Sequence, residues 1–498
     1  MIHGTSATTL KGRYEQLAMK RQTSLDRARR MAELSIPAIQ PPAGWSGNGM
    51  LPEPYQGLGA RGVINLSSRL LIALLPPGQK FFRLDVPAST LVQAGQDDVP
   101  IEITTGLAKI ETMVQNEINH RGWRQPTNLV LQMLAVAGNA CEYLGPDNRL
   151  AVYRLDQFVV VRDNAGDVIE LIIEKKCHPA ALPPAAAAVL PTNIDENDPH
   201  AEVCLYTRVH KVGEMQYHVH QEVEETPVKA SEGVLPRNPF NVLRWNLVPG
   251  EDYGRGKVED HVSDLYALEM NTKSMIEGAA MASRNITRIS PSTTNARSLQ
   301  RSWNEMPNGG SVIADPGELE MMAFGNVPGL QIVQNEIGRL TQELARSFLM
   351  TSNVRDAERV TATELRMMAE ELEGTLGGVY SMLSEEMQLH RLQSVIANMQ
   401  ETGALAEFDD EMVEPTIMTG LEALGRERDV LKVTQALQLA PALPPKALRS
   451  WNFDEMAKIL LTGLDLQSAV YTEEEMAERE AEMQAQQAAM AGMAGPQQ

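Results

Sequence analysis

The chain has 498 residues, of which 43% are hydrophobic and 5% aromatic, and its formal net charge is −21 at pH 7. This length predicts two to four domains, with aliphatic cores that use many of the 26 methionines. The acidic balance argues against a protein that grips nucleic acid over a broad surface, because such surfaces are basic. It leaves a conduit open, since like charge would let a polyanion slide through without sticking.

The cysteines and the apolar runs indicate in which compartment the protein is expected. Cys141, Cys177 and Cys204 are odd in number and widely spaced, which predicts neither a disulfide framework nor a zinc site and favours a reduced, intracellular history. The first residues, MIHGTSATTLKGRYEQ, contain no apolar stretch of the kind that a secretory signal needs. The longest apolar run, VINLSSRLLIALLPP, is too short and too polar to cross a bilayer, so no membrane span is expected.

The first part of the chain has a helical pattern. Apolar residues at helical spacing predict helices over 8–34, 60–75, 104–121 and 126–139. The first helix carries seven basic residues, and a solvated outer face is favoured there over a surface for an acidic partner. GLGARG (57–62) matches the dinucleotide fingerprint G-x-G-x-x-G, but no strand signal precedes it, so a turn from loop to helix is predicted.

Between 141 and 248 the apolar period changes to two, which predicts a small β-rich unit inside a helical protein. It includes a hairpin over 203–223. His218, His220 and Glu222 alternate along one strand of this hairpin, so their side chains share one face of the sheet. A metal site would need a closing ligand and supporting hydrogen bonds, and the sequence suggests neither. A solvated edge strand is the favoured interpretation.

Two long helices are predicted at 257–284 and 330–350 from apolar side chains that recur every three or four residues. They bracket short strands and turns at 285–328. This order predicts an antiparallel helix pair that carries a compact module at its far end. A polar segment, TSNVRDAERVTAT (351–363), follows the second helix.

The next predicted helix, 361–402, contains an unusual group of glycines, Gly374, Gly377 and Gly378. An apolar stripe runs along this helix on Leu365, Met368, Leu372, Leu376, Val379, Leu383 and Met387. Each glycine costs roughly 1 kcal/mol of helix stability relative to alanine. A kink, or a backbone that another chain must approach closely, would account for them.

The chain lacks the sequence signatures of common active sites. It contains no G-x-S-x-G, H-E-x-x-H or Walker A motif. Paired carboxylates such as Glu370 and Glu371 are adjacent on a helix, so they point apart. We therefore predict no catalytic, cofactor-binding or metal-ligating residues, and a structural protein rather than an enzyme.

Four segments closely resemble the portal, or head-to-tail connector, proteins of short-tailed podoviruses. They are GARGVINLSSRLLIALLP (59–76), LVLQMLAVAGNACEYL (129–144), ERVTATELRMMAEELEGTLGGVYSMLSEEMQLH (358–390) and VEPTIMTGLEALGR (413–426). The similarity extends over most of the chain in the same order. It is weakest at 181–200 and in the last 30 or so residues.

The resemblance implies an α+β protein, mainly α with an inserted β-rich unit, that has the phage portal fold and assembles as a ring, usually of twelve copies. The implied divisions are a wing at 1–250, a first stem helix at 251–284, a clip at 285–328, a second stem helix at 329–350, a channel loop at 351–361, a long wing helix at 362–411, and a crown with the C-terminal tail at 412–498. The three glycines would then let neighbouring subunits pack around a closed ring.

The resemblance also implies a function. The ring would sit at one capsid vertex of the virion, after assembly in the host cytoplasm, and double-stranded DNA would pass through it during packaging and ejection. It would nucleate capsid assembly, and its partners would be the terminase large subunit, the major capsid and scaffolding proteins, and the tail adaptor and internal core proteins. No cofactor is implied, because the terminase supplies the ATP chemistry. The alternative is another helical structural or scaffold protein of the virion without a channel.

The implied channel loop gives candidate DNA contacts, which are Thr351, Ser352, Asn353, Arg355 and Arg359. In one interpretation Arg355 points into the channel and touches phosphates without reading bases. In the other, the two arginines form salt bridges with acidic neighbours across a seam between subunits. The sequence leaves both open.

Overall fold

In the computed structural model, the described part of the chain folds into helices and antiparallel sheets. That part is 9–457 without 46, 48, 78–79, 88–89, 91–100, 192–193, 195–197, 214–215, 283–284, 291–294, 308–310, 312, 324–326, 351–370, 373, 377, 407–412, 418–431, 439, 441–450 and 452–455. Among its helices, none is long and apolar enough to cross a membrane.

The helices follow the apolar periodicity of the sequence. They are α1 Leu10–Glu33, α2 Leu58–Leu74, α3 Ile101–His120, α4 Arg124–Ala137, α5 Pro184–Ala187, α6 Lys257–Asp260, α7 Val262–Ala282, α8 Ala296–Glu305, α9 Val327–Ser347, α10 Val379–Leu383 and α11 His390–Glu401, with a π-helix, Ser384–Leu389, between the last two. The four helices predicted before residue 140 are confirmed, with ends shifted by three residues or fewer. The predicted helix 257–284 is instead two helices, because the first ends at Asp260 and the second begins at Val262.

The strands form four antiparallel sheets within the described residues. They are β1 Phe82–Asp85, β2 Asn139–Leu144, β3 Leu150–Tyr153, β4 Phe158–Arg162, β5 Val168–Cys177, β6 Val203–Gly213, β7 Gln216–Val223, β8 Thr226–Leu235, β9 Phe240–Arg244, β10 Asn285–Ile289, β11 Leu319–Ala323 and β12 Glu414–Ile417. The strand orders are β3-β2-β9, β4-β5-β6-β7-β8, β10-β11 and β1-β12. Two of these sheets form the predicted β-rich unit, which the structure confirms.

Helix α1 packs on one face of the five-stranded sheet. Its Leu10, Tyr14 and Leu17 bury their side chains against Val159, Ile172 and Tyr206. Its basic residues meet acidic residues of the same chain, with N–O distances of 3.5 Å for Lys11–Glu224, 2.7 Å for Arg13–Glu170 and 3.5 Å for Arg27–Glu251. These three side chains remain 28–40% exposed, so they lie on a solvated face although each pairs with a carboxylate. The prediction of a solvated face is wrong for Arg21, which is buried and donates to the backbone oxygen of Phe158 at 2.6 Å.

One apolar core joins α2, α4, α7, α9, α10 and the helical residues Leu372 and Leu376 that precede α10. The described part of the predicted stripe is buried there, with no member more than 8% exposed: Leu372, Leu376, Val379, Leu383 and Met387. Since burying a side chain of this size contributes roughly 1.5–3 kcal/mol, the stripe fixes the helix onto α2 and α4.

Some elements were not predicted. Strands β1 and β12 pair in register from Phe82↔Ile417 to Asp85↔Glu414, although more than 300 residues separate them in sequence. Each has four residues, too few for an alternation signal.

Helix α8 lies in a segment predicted as strands and turns. Strand β7 lies between β6 and β8, so the interpretation of a solvated edge strand at His218 and His220 is wrong.

Candidate functional site

Helix α2 contains the first of the resembling segments, and its glycines mark places of close approach. A Cβ atom on Gly59 would lie 2.2 Å from the backbone oxygen of Leu34, and one on Gly62 would lie 2.7 Å from Cγ of Phe348. A Cβ on Gly57, which directly precedes the helix, would meet no atom within 4 Å. The G-x-G-x-x-G spacing therefore serves packing, and the predicted turn from loop to helix is confirmed.

The end of α9 is held by α2, immediately before the predicted channel loop. Leu349 has a φ of +56°, and the N–H groups of Leu349 and Met350 donate to carbonyls of the last turn at 3.0 and 2.8 Å, which closes the helix in a Schellman pattern. The Asn65 side chain donates through Nδ2 to the backbone oxygens of Phe348 (2.9 Å) and Leu349 (3.0 Å). Asn65 thus fixes the direction in which the chain leaves α9.

Helix α2 also contacts the chain on the other side of 351–370. The Arg69 side chain is 2% exposed and its Nη1 donates to Oε2 of Glu371 at 2.9 Å. Further along, Tyr380 donates its hydroxyl to the backbone oxygen of Ala73 at 3.3 Å, and the Gln388 amide donates to that of Leu74 at 2.6 Å. One helix therefore orients the described residues on both sides of the predicted channel loop.

The predicted site residues divide into two groups. Thr351, Ser352, Asn353, Arg355, Arg359 and Gly377 lie outside the described residues. Gly374 is helical and exposed, and Gly378 has a φ of +86° at the position before α10. The helix is interrupted at Gly378, since a left-handed residue cannot continue it. A Cβ at either described glycine would meet no atom of this chain within 4 Å, so close packing there remains a prediction about a neighbouring subunit.

Replacing Gly374 or Gly378 by alanine should change the free energy of unfolding in opposite directions. Gly378→Ala places a side chain in the left-handed region, and we expect it to lower the free energy of unfolding by about 1–2 kcal/mol. Gly374→Ala adds a methyl group in open space on a helix, and we expect it to raise that free energy by about 0.5–1 kcal/mol. Chemical denaturation of the two variants measures both. A destabilising Gly374→Ala in the assembled protein would instead show that another subunit approaches this backbone.

The long helices α7 and α9 run antiparallel and bury one side of their surface. Toward the start of α7 and the end of α9, Leu265 and Leu268 share the main core with Leu340 and Leu344. Near the other end a Cβ on Gly278 would lie 2.7 Å from Cδ2 of Leu330. The outer surface of the pair leaves large apolar side chains 43–70% exposed, namely Tyr266, Met270, Ile276, Met281 and Ile332. A concentration of this kind is typical of a surface that another molecule covers.

A buried ion pair connects the second resembling segment to the residue that directly follows the third. Glu142 of β2 and Arg391 of α11 each have side chains 2% exposed, and Arg391 Nε donates to Oε1 of Glu142 at 3.0 Å. Arg391 Nη1 also donates to the Thr127 hydroxyl at 2.8 Å, and the Asn241 amide donates to Glu142 at 3.2 Å. Sequence reasoning missed this pair, because no local pattern connects residues 249 positions apart.

The structure also assembles a histidine cluster that the sequence showed only in part. His218 and His220 lie beside His210 of β6, whereas Glu222 accepts a hydrogen bond from the first backbone N–H of α1 at 2.7 Å. Burial and the nearby Arg208 guanidinium lower the pKa of His210, and they lower the pKa of His220 to about 4. The register of the hairpin, had it been assigned, would have placed His210 opposite His218.

The chain is similar to known phage proteins over almost its whole length. It is 30% identical to the portal protein of Escherichia phage T7, with 97% of this chain and 92% of the relative covered. It is 31% identical to the portal protein of Enterobacteria phage T3, with 87% and 82% covered. Among solved structures, a chain in the neck of an empty gene transfer agent particle aligns with a TM-score of 0.40 and 12% identity, covering 83% of this chain and 94% of that chain.

A family model agrees with these relatives and with the four resembling segments. The model describes the bacteriophage head to tail connecting protein and matches residues 7–471. Such a match includes the β-rich unit, both long helices, and the α2 contacts on either side of the predicted channel loop. The resemblance to podovirus portal proteins is therefore confirmed, and the chain belongs to the family of bacteriophage head to tail connecting proteins.

Proposed function

We propose that this protein is the portal of a short-tailed phage, a ring at one capsid vertex through which double-stranded DNA enters and leaves the capsid. The observation that carries the proposal is the likeness to proteins named portal proteins over 97% of the chain. Its role is structural. Terminase would dock on the ring during packaging and tail adaptor proteins afterwards. Capsid, scaffolding and internal core proteins would meet its other surfaces, and the ring would nucleate capsid assembly in the host cytoplasm.

The proposed divisions follow the observed elements. We assign α6, α7 and α9 to the stem, the strands β10 and β11 with α8 to the clip, and residues 1–250 to the wing. The channel loop is 351–361, and the long wing helix follows it. Because β12 pairs with β1 of the wing, we assign β12 to the wing and let the proposed crown begin after Ile417.

Ring assembly is supported by surfaces that the single chain leaves uncovered. The apolar side chains on the outer surface of α7 and α9 include Ile276, 51% exposed, and Ile332, 70% exposed. A neighbouring stem would remove them from water, and each Å² of apolar surface covered contributes roughly 25 cal/mol. Cyclic symmetry requires that one face of each subunit meets a different face of the next.

The mass of the purified protein tests the ring. A ring of twelve chains of 54.8 kDa has a mass of about 658 kDa, twelve times that of the monomer. We expect mass photometry to find a closed ring near this value without added cofactor. Monomers alone, over a range of pH and salt, would contradict the proposal and favour the alternative of a helical virion protein without a channel.

The proposed channel loop gives a second test. Arg355 would touch phosphates of the passing duplex, and such contacts must be weak because tight ones would stall translocation. We expect Arg355→Ala to form rings normally and to lose packaged DNA late in packaging, with a defect that changes with salt. Arg149→Ala, at an exposed wing position, is the control and should package as the unmodified protein does.

The outcomes of the Arg355 experiment are distinguishable. Failure of the variant to form rings would assign Arg355 to a seam between subunits. Normal rings with normal DNA filling and retention would contradict a role in the channel. The described residues on either side of this segment, Phe348 and Glu371, are hydrogen-bonded to Asn65 and Arg69 of α2.

A further inference from the structure

Three histidines of the five-stranded sheet converge on one face. His210 of β6 lies directly opposite His218 of β7, and His220 lies two residues further along β7 on the same face. Their ring centroids are 5.0 Å (His210–His218), 5.5 Å (His218–His220) and 6.2 Å (His210–His220) apart. One ring nitrogen from each lies within 4.8 Å of the other two.

The imidazoles have nitrogen atoms that the described part of the chain leaves without partners. Nδ1 of His210, of His218 and of His220 is buried, and none has a hydrogen-bond partner among the described residues. Buried polar atoms in proteins are normally satisfied, so three neighbouring exceptions require an explanation. A cation bound to one ring nitrogen of each imidazole would account for a buried cluster of this kind.

A carboxylate supports one of these imidazoles from outside the cluster. Nε2 of His218 lies 3.3 Å from Oε1 of Glu232, which is on β8. When Nε2 carries the proton and donates it to Glu232, the lone pair of His218 is on Nδ1, which is the unpartnered atom. Histidines that ligate metals usually have such a partner on the other ring nitrogen, because it fixes the tautomer and the ring orientation.

We propose that His210, His218 and His220 bind one divalent transition-metal ion, with Zn²⁺ as the expected ion, and that Glu232 positions His218. Imidazole is a preferred ligand of Zn²⁺, and three protein ligands leave a fourth position for water or another group. Nitrogen ligands of tetrahedral zinc lie about 3.4 Å apart, so the rings must draw together from their present separation. The ion would join β6 to β7 and, through Glu232, to β8.

The positive charge of Arg208 lies near the proposed site. Arg208, which is opposite His220 in the strand register, places Nη2 2.7 Å from Oε1 of Glu170. Glu170 is also paired with Arg13 at 2.7 Å. Because Glu170 shares its charge between two guanidinium groups, Arg208 is only partly neutralised and opposes a cation. We therefore expect Arg208→Gln to bind Zn²⁺ more tightly than the unmodified protein.

The test uses the purified full-length protein after removal of metals by dialysis against EDTA. We expect Zn²⁺ titration calorimetry to give one ion per chain, and Co²⁺ to produce the intense visible absorption of tetrahedral coordination. His210→Gln and His220→Gln should each weaken Zn²⁺ binding at least tenfold and abolish the Co²⁺ band. The control is His120→Gln, which changes an exposed histidine on α3 and should leave both measurements unchanged.

Several results would overturn the proposal. No bound ion up to millimolar Zn²⁺ would do so, as would equal binding by all the histidine variants or loss of binding in His120→Gln. Far-ultraviolet circular dichroism of each variant separates lost binding from lost folding. If one of His210→Gln and His220→Gln does not fold, the other still tests the site. The result does not depend on ring formation or DNA packaging, so the proposed portal function stands or falls separately.

Discussion

Glu142→Ala is expected to lower the free energy of unfolding by about 3–5 kcal/mol, because it leaves the guanidinium of Arg391 buried without its counter-ion. Both side chains are 2% exposed, so water cannot replace the lost carboxylate. The Thr127 hydroxyl would remain as a partner for Nη1, but a neutral oxygen does not balance the charge. The pair connects β2 to α11, and its loss should loosen the contact between that sheet and α11.

Urea denaturation followed by circular dichroism measures this effect, with two comparisons. Arg149→Ala removes the exposed partner of Asp147, whose side chain is 53% exposed, and should change stability by less than about 1 kcal/mol. The double variant Glu142→Leu with Arg391→Met replaces both charges by apolar groups and should recover most of the loss. A cost for Glu142→Ala no larger than that for Arg149→Ala would show that the pair is solvated in solution.

Gly59→Ala is expected to destabilise the protein by about 2–3 kcal/mol through overpacking. The new methyl group would lie 2.2 Å from the backbone oxygen of Leu34, so either α2 or the end of α1 must move. A flexible side chain could rotate away from such a contact, but a carbonyl group cannot. Because Asn65 and Arg69 lie on the same helix, a shift of α2 should also disturb the residues on both sides of 351–370.

The same motif supplies the control for Gly59. Gly57→Ala introduces a methyl group at a position where no atom lies within 4 Å, and we expect a cost below about 1 kcal/mol, from the poorer helix cap alone. Thermal unfolding of the two variants, together with ring yield, measures the difference. Equal melting temperatures would mean that α2 can shift without cost, which would contradict its role as a rigid support.

Secondary structure was predicted best where its signal is local. Helix α2 and the buried stripe at Leu372, Leu376 and Leu383 follow from apolar residues at helical spacing, since one face of each helix must leave water. The β-rich unit follows from the change to a period of two. The four-residue strands β1 and β12 carry too few residues to show a period, and their pairing depends on how distant elements dock.

The candidate site was predicted in outline and not in its contacts. The glycines of GLGARG indicated a turn, and the structure shows that Gly59 and Gly62 are required by Leu34 and Phe348. A glycine pattern gives the need for a small residue without naming the neighbour that imposes it. The same holds for Gly378, where the sequence predicted an interrupted or closely packed helix and the backbone angle shows the interruption.

By itself, the sequence determined the order and type of the long elements, the inserted β-rich unit and the resemblance to portal proteins, because periodicity and motifs are properties of neighbouring residues. Only the tertiary structure decided which distant side chains meet. Asn65 holds the end of α9, Arg391 neutralises Glu142, and His210 joins His218 and His220. These contacts depend on strand register and on the docking of helices, where a shift of one residue turns a side chain to the opposite face.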